Sequence, residues 1–148
     1  MKAIMLSALL LLAEPAAAQT AVDGDTIKMD GRLYDLHGID APEMAQTCID
    51  GWPAGFEARK ALTELMRGHT VTCEAPIIDL EGKPVATCKA DDTDLSSAMV
   101  LAGEAFAFTA RSAKYVAEEA EANAAARGIH AHNCTLPWDW RARIRGDR

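Results

Sequence analysis

Apolar and polar residues alternate along Thr26-Ile27-Lys28-Met29, which with the Leu/Tyr/Ile-bearing stretch over residues 33–39 predicts two strands. Asp30-Gly31 between them is a hairpin turn signal, and Pro42 closes the second strand because it has no N–H to give a ladder. Over residues 55–66 the period lengthens. Phe56, Leu62, Leu65 and Met66 recur at helical spacing, and Gly68 supplies the C-cap. Residues 70–74 and 84–89 form a second hairpin around Leu80-Glu81-Gly82-Lys83. Asp94 is an N-cap for a short helix over 95–102 that stops at Gly103. Ala105-Phe106-Ala107-Phe108 is a short apolar strand or bend, and the Ala/Glu-rich stretch 112–126 is a helix ending at Arg127-Gly128. The last segment, with Pro137, Trp138 and Trp140, is expected to be irregular and to pack back on the body. Strands come first and helices later, with no internal repeat, so the pattern is that of one α+β domain.

Composition adds a compartment to this picture. Of the 148 residues, the first 18 have the layout of a secretory signal: Met1-Lys2, an apolar run over 4–13, and Ala16-Ala17-Ala18 before a cut at Gln19. This divides the chain into a signal peptide (1–18) and a single domain (19–148), secreted or periplasmic. The apolar run is too short to span a bilayer, and no cysteine lies near the cut to carry a lipid. The expectation is a monomer without stable membrane insertion.

Four cysteines suit an oxidising compartment and allow three pairings. Cys73 and Cys88 lie symmetrically about residues 79–82, as cross-strand neighbours would, which favours Cys73–Cys88 and with it Cys48–Cys134. Without a C-x-x-C pair, zinc binding is disfavoured. The net charge of −7 repels polyanions unless a basic patch or a bound cation overrides it. The basic concentration is at the end (Arg141, Arg143, Arg145, Arg148), where a solvated, frayed tail is expected.

Two acidic stretches carry the candidate chemistry. Asp23-Gly24-Asp25-Thr26 and Ile39-Asp40-Ala41-Pro42-Glu43 lie at either end of the first hairpin. Hard cations such as Ca²⁺ take carboxylate and carbonyl oxygens, and a carboxylate beside such an ion can orient or deprotonate a water. A single Asp in such a place is more simply a turn residue. An EF-hand loop is excluded, because Thr26 and Ile27 break its ligand spacing and a strand follows.

D-G-D-T before a strand, then G-I-D-A-P-E, a helix, a D-x-x-G-[RK] hairpin and a closing Glu/Ala-rich helix together resemble the staphylococcal nuclease (thermonuclease) family. The resemblance runs from Val22 to about Trp140, and the cysteines and the Trp-Asp-Trp-Arg end are similar to its secreted bacterial branch. It implies an OB-type five-stranded β-barrel with about three helices and Ca²⁺-dependent hydrolysis of DNA and RNA phosphodiesters. Asp25 and Asp40 would be calcium carboxylates, the Ala41 carbonyl a third ligand, and Asp23 a steering charge just outside. Glu43 would orient or deprotonate the attacking water.

The chain departs from the family where the family has two arginines. One position is Asp35 and the other is Lys83. Lys83 keeps a point charge without the planar fork of a guanidinium. Asp35 puts repulsion where the transition state needs attraction, and each ~1.4 kcal/mol is a factor of ten in rate. His37, on the same strand face as Asp35, and Arg32 near the turn are candidate substitutes. The plainer readings are a half-buried strand histidine at 37 and, at 35, an extra metal ligand or a surface charge. Phe108 stands where the family stacks a base, and also reads as core. The family's first strand would be short, since little chain precedes Asp23. Two functions follow: a weak or altered nuclease, or a catalytically inactive OB-type module that keeps the metal site and binds nucleic acid, an anionic polysaccharide or a protein. A disulfide-stapled domain without a ligand is a third class.

Overall fold

The computed structural model describes residues 19–146. The expected signal peptide and Arg148 lie outside them. Among the described residues ten short strands, the last ending at Ala107, precede and separate the first three of four α-helices, giving an α+β fold. β1 (Gln19–Ala21), β2 (Thr26–Met29) and β3 (Arg32–Leu36) form an antiparallel meander. Asp30 and Gly31 both take positive φ (50° and 78°), the backbone of a tight two-residue hairpin turn, as the sequence predicts. Among the described residues the first strand pairs Gln19–Ala21 with Ile27–Met29.

The expected strand over 33–39 is broken. His37 and Gly38 turn the chain between β3 and β4 (Ile39–Asp40). Gly38 has φ +76°, and a Cβ there would meet the Tyr115 ring at 3.0 Å, so only glycine makes this corner without strain. The corner moves Asp40 off the first sheet and pairs it with Phe106 of β10 (Phe106–Ala107).

The second hairpin also divides. β5 (Val71–Cys73) pairs with β8 (Cys88–Ala90), whereas β6 (Ile77–Ile78) pairs with β7 (Pro84–Ala86). The break at Thr87 lets β7 lie parallel to β3 while β8 joins β9 (Thr93–Asp94). The strands thus divide among sheets of order β1-β2-β3-β7-β6, β5-β8-β9 and β10-β4. Cys73 and Cys88 face each other in register and are disulfide-bonded, and Cys48–Cys134 is the second bridge, both as expected from the sequence.

Helix α1 (Ala54–Met66) matches the predicted span, and α2 (Leu95–Leu101) is N-capped by the Asp94 side chain on the Ser97 N–H at 3.2 Å. α3 (Val116–Ala124) starts later than the periodicity predicts, because residues 112–115 form turns that seat the fully buried Tyr115. The closing segment is a regular helix, α4 (Pro137–Arg145), not the irregular stretch expected. Pro137 occupies its first turn and Gly146 ends it in the left-handed conformation, and both signals were in the sequence.

Ile27, Leu36, Leu62, Leu95, Met99 and Val100 are at most 1% exposed and join sheet to helices in one core. Each such side chain contributes about 1.5–3 kcal/mol on burial. No helix among the described residues is long and apolar enough to cross a membrane.

Candidate functional site

Two glycines press the acidic stretches together. A Cβ on Gly24 would come within 2.6 Å of both Ala41 and Ala58, and one on Gly55 would meet the Glu43 carbonyl oxygen at 1.8 Å. The first acidic loop is therefore packed on the second, and the start of α1 is packed under Glu43. Asp23 folds its own loop, its Oδ1 accepting the N–H groups of Asp25 (3.1 Å) and Thr26 (2.7 Å). Asp25 Oδ2 accepts the Ala41 N–H at 2.6 Å, the hydrogen bond that ties one stretch to the other.

Around this seam lies a cleft of about 380 Å³. Asp23, Asp25, Asp35, Asp40 and Glu43 line it, together with Asp79 and Glu81. Lys83, Arg111, Arg141 and Arg145 supply its cations, and Phe108 its aromatic surface. Burial first, then the Asp23 and Asp40 charges, hold the Asp25 carboxyl well above the usual carboxylate range. Burial also raises Asp40, against the opposing pull of Arg141.

Asp35 is brought into the cleft. It stands opposite Thr26 in the β2–β3 register and accepts the Thr26 hydroxyl at 3.2 Å. Burial raises its carboxyl while Lys83 pulls it down. Lys83 is an exposed side chain 3.4 Å from Glu81; burial lowers its ammonium, and Asp35 and then Glu81 raise it by more. Neither candidate substitute reaches the site. His37 sits in the turn beyond β3, its N–H on the Ala86 carbonyl at 2.9 Å, and Arg32 is exposed at the hairpin; neither is among the residues lining the cleft. Phe108 is half-buried, 5.4 Å from the Trp138 ring, with the Arg111 guanidinium 5.6 Å from its own ring centroid.

Arg141 is the residue that sequence reasoning missed. Read as part of a frayed tail, it instead forks onto Asp40, Nη1 to Oδ1 at 3.0 Å and Nη2 to Oδ2 at 2.6 Å. Nη1 also reaches Glu43 Oε1 at 2.8 Å. The hydrogen bonds to Asp40 and then Glu43 raise its pKa further, so the guanidinium stays charged. Arg145 lines the same cleft, whereas Arg143 is exposed. The helix signals around Pro137 and Gly146 were legible, but the partner of Arg141, about a hundred residues away, was not.

A hard cation fits the donor chemistry here. Asp25, Asp40 and the Ala41 carbonyl are oxygen donors, and the raised Asp25 carboxyl marks negative charge that its surroundings leave uncompensated. The arrangement sets a condition: both Asp40 oxygens are bonded to Arg141, and among the described residues no three His, Cys, Asp or Glu side chains converge as a metal cluster.

The fold and the site define an α+β protein with an acidic cleft at the ends of its first hairpin. Residues 34–132 match the family described as Staphylococcal nuclease homologue, and the chain belongs to that family. It is 36% identical over 100 residues to the succinoglycan biosynthesis protein ExoI of Rhizobium meliloti (strain 1021), covering 63% of this chain and 52% of that protein. It is 33% identical over 116 residues to two probable staphylococcal-like nucleases of Oryza sativa subsp. japonica, CAN3 and CAN2, covering 76% of this chain and 29% and 30% of theirs. The chain thus matches about half, or less, of the length of these relatives.

Proposed function

We propose that this protein hydrolyses phosphodiester bonds of DNA or RNA, with activity weakened or altered by the exchange of both family arginines. The observation that carries the reading is the Asp25–Ala41 hydrogen bond, which joins the two acidic stretches beside Glu43 in one cleft. Family membership and the two rice relatives named as nucleases support it.

Asp25, Asp40 and the Ala41 carbonyl would hold one Ca²⁺, with Asp23 shaping the first acidic loop. When bound, that ion supplies Lewis-acid polarisation of a phosphate oxygen. Glu43 accepts a proton from water as the water oxygen bonds to phosphorus. One P–O ester bond breaks, and the departing alkoxide takes a proton from solvent. Lys83 attracts the phosphate as a point charge, and Phe108 offers a base a stacking surface. The three sheets read as an OB-type barrel. In support, the Gln19 side chain bridges β1 to the start of β5, its Oε1 accepting the Val71 N–H at 3.0 Å and its Nε2 donating to the His69 carbonyl at 2.5 Å. The protein acts as a secreted or periplasmic monomer once residues 1–18 are removed.

The test is hydrolysis of a single-stranded oligonucleotide by protein lacking residues 1–18, with Ca²⁺ and with chelator. Glu43→Gln is expected to lower the Ca²⁺-dependent rate by about 10²–10⁴-fold. Equal traces of cleavage by wild type and variant would end the nuclease reading.

A second reading is favoured by Asp35 and by Arg141, which occupies Asp40 and Glu43. In it the cleft binds without cleaving, and its ligand is a nucleic acid, an anionic polysaccharide or a protein. The relative named for succinoglycan biosynthesis gives the saccharide some weight. Saturable Ca²⁺-dependent binding of an oligonucleotide or a polysaccharide, without turnover, is its signature.

A further inference from the structure

We propose that Arg141 is the phosphate-gripping cation of this site, delivered by the last helix in place of the arginine that β3 lacks at Asp35. The proposal rests on the phosphodiester reading above and adds the residue which that reading leaves missing.

Within the cleft, Arg141 is hydrogen-bonded to the two central carboxylates, Asp40 and Glu43. Its guanidinium spans Asp40 and Glu43, the proposed cation ligand and the proposed water base. A phosphate presented to both groups must lie against it. Arg111 donates from Nη2 to Asp79 at 3.2 Å and lies 5.6 Å from the Phe108 ring centroid, and it acts on Asp35 and Asp40 through its charge, with no hydrogen bond to either among the described residues. Lys83 lies beside Glu81 and has no fork. A guanidinium carries five N–H donors. Among the described residues the contacts of Arg141 engage Nη1 twice and Nη2 once, so Nε–H and one Nη2 hydrogen face no protein acceptor there and can serve phosphate oxygens.

The position is built rather than incidental. Gln46 is fully buried and works in both directions: its Oε1 accepts the Glu43 N–H at 3.2 Å, and its Nε2 donates to the Thr135 carbonyl at 2.6 Å. The same two segments are joined covalently by Cys48–Cys134. Pro137 is buried at the start of α4, and Trp138 packs against Phe106 and Phe108 at 6.2 and 5.4 Å. A hydrogen bond and a disulfide therefore tie the segment after Glu43 to the residues leading into the helix that carries Arg141, and the Trp138 contacts seat that helix on Phe106 and Phe108. In the hydrolytic step set out above, negative charge grows on the phosphate oxygens as water adds, and a fixed fork at that place stabilises it more than it does the ground state.

The test compares wild type with Arg141→Gln, Arg141→Lys and the double variant Asp35→Arg/Arg141→Gln, in cleavage and in binding of a labelled oligonucleotide. If wild type cleaves, Arg141→Gln should lose at least about a hundredfold in kcat with a smaller change in KM. Arg141→Lys, which keeps the charge and guards against misfolding, should fall between them. The double variant should regain at least about tenfold over Arg141→Gln, because it returns a fork to the family's position. Retention of kcat within about threefold, or a rise on Arg141→Gln, would overturn the proposal and make the contact a shield over the carboxylates. If wild type binds the oligonucleotide but does not cleave it, the nuclease reading fails by itself. The gripping role then stands on an affinity loss of at least about tenfold in Arg141→Gln and falls if affinity is equal. Wild type that neither binds nor cleaves overturns both.

Discussion

The acidic and cationic sides of one cleft are assembled in different ways. The acidic side is local. Asp23, Asp25, Asp35, Asp40 and Glu43 fall within a stretch of hairpin and turns, held by an Asx-type loop, the Asp25–Ala41 bond and two glycines that allow backbone-close packing. The cationic side is distant. Lys83 comes from the β6–β7 hairpin, Arg111 from the turn after β10, and Arg141 from the final helix. Turn chemistry places local groups at little entropic cost, whereas groups brought from afar must be clamped. Gln46 and the Cys48–Cys134 bridge are that clamp. The comparison teaches that a remote cation can be set against local carboxylates, provided something fastens the element that carries it.

The largest effect on that comparison should come from cutting the clamp. Cys48 and Cys134 are 86 residues apart, against 15 for Cys73 and Cys88. Chain-entropy arithmetic gives about 4–5 kcal/mol for a loop of the first size and about 3 for the second. Cys48→Ser/Cys134→Ser should lower unfolding free energy in urea by more than Cys73→Ser/Cys88→Ser does. It should also depress oligonucleotide turnover, because α4 is loosened. Turnover unchanged by the first pair would break the link between clamp and cleft.

Restoring the strand's own charge is the next lever. Asp35→Arg/Lys83→Arg in the otherwise wild-type chain should raise cleavage about tenfold, equivalent to ~1.4 kcal/mol of transition-state stabilisation. Steady-state rates on the same oligonucleotide decide it. No gain would mean that the scaffold has moved further from the nuclease geometry than two side chains.

The smallest effect concerns a carboxylate without a partner. Asp40 is buried and forked by Arg141, whereas Glu104 is half-buried with an unpartnered Oε2. Burial, and secondarily the Glu57 charge, raises Glu104 to about 7. A carboxyl raised in the folded state binds more protons there than in the unfolded chain. Its contribution is therefore full below the ordinary glutamate range and is lost as pH rises towards 7. Glu104→Gln should stabilise the protein at pH 8 by about 1–2 kcal/mol, discounted for solvent access, and leave it nearly unchanged at pH 4. Thermal melts at the two pH values check this. An equal shift at both would mean that packing, not charge, sets the effect.

Much of the fold was legible because its signals are short-range. The Asp30-Gly31 turn, the α1 periodicity, the Asp94 cap and the Cys73–Cys88 register all depend on residues a few positions apart or directly paired. The elements misread were those where tertiary contacts override the pattern. Gly38 breaks an apparently continuous strand against Tyr115, Thr87 lets two strands leave in different sheets, and Tyr115 delays α3 by needing a buried turn. The Arg-rich end looked solvated because Asp40 and Glu43, the carboxylates that hold Arg141, lie about a hundred residues away in sequence.

By itself the sequence determined the family and the α+β order of elements, favoured the two disulfide pairs that the structure shows, and placed Asp25, Asp40 and Glu43 on two neighbouring acidic stretches. Local turn geometry and side-chain period fix these before the chain closes. Only the tertiary structure decided which cation faces those carboxylates. Arg141 lies 98 residues from Glu43 and 101 from Asp40 along the chain, and only the packed helix, the buried Gln46 and the Cys48–Cys134 bridge bring them within hydrogen-bonding distance.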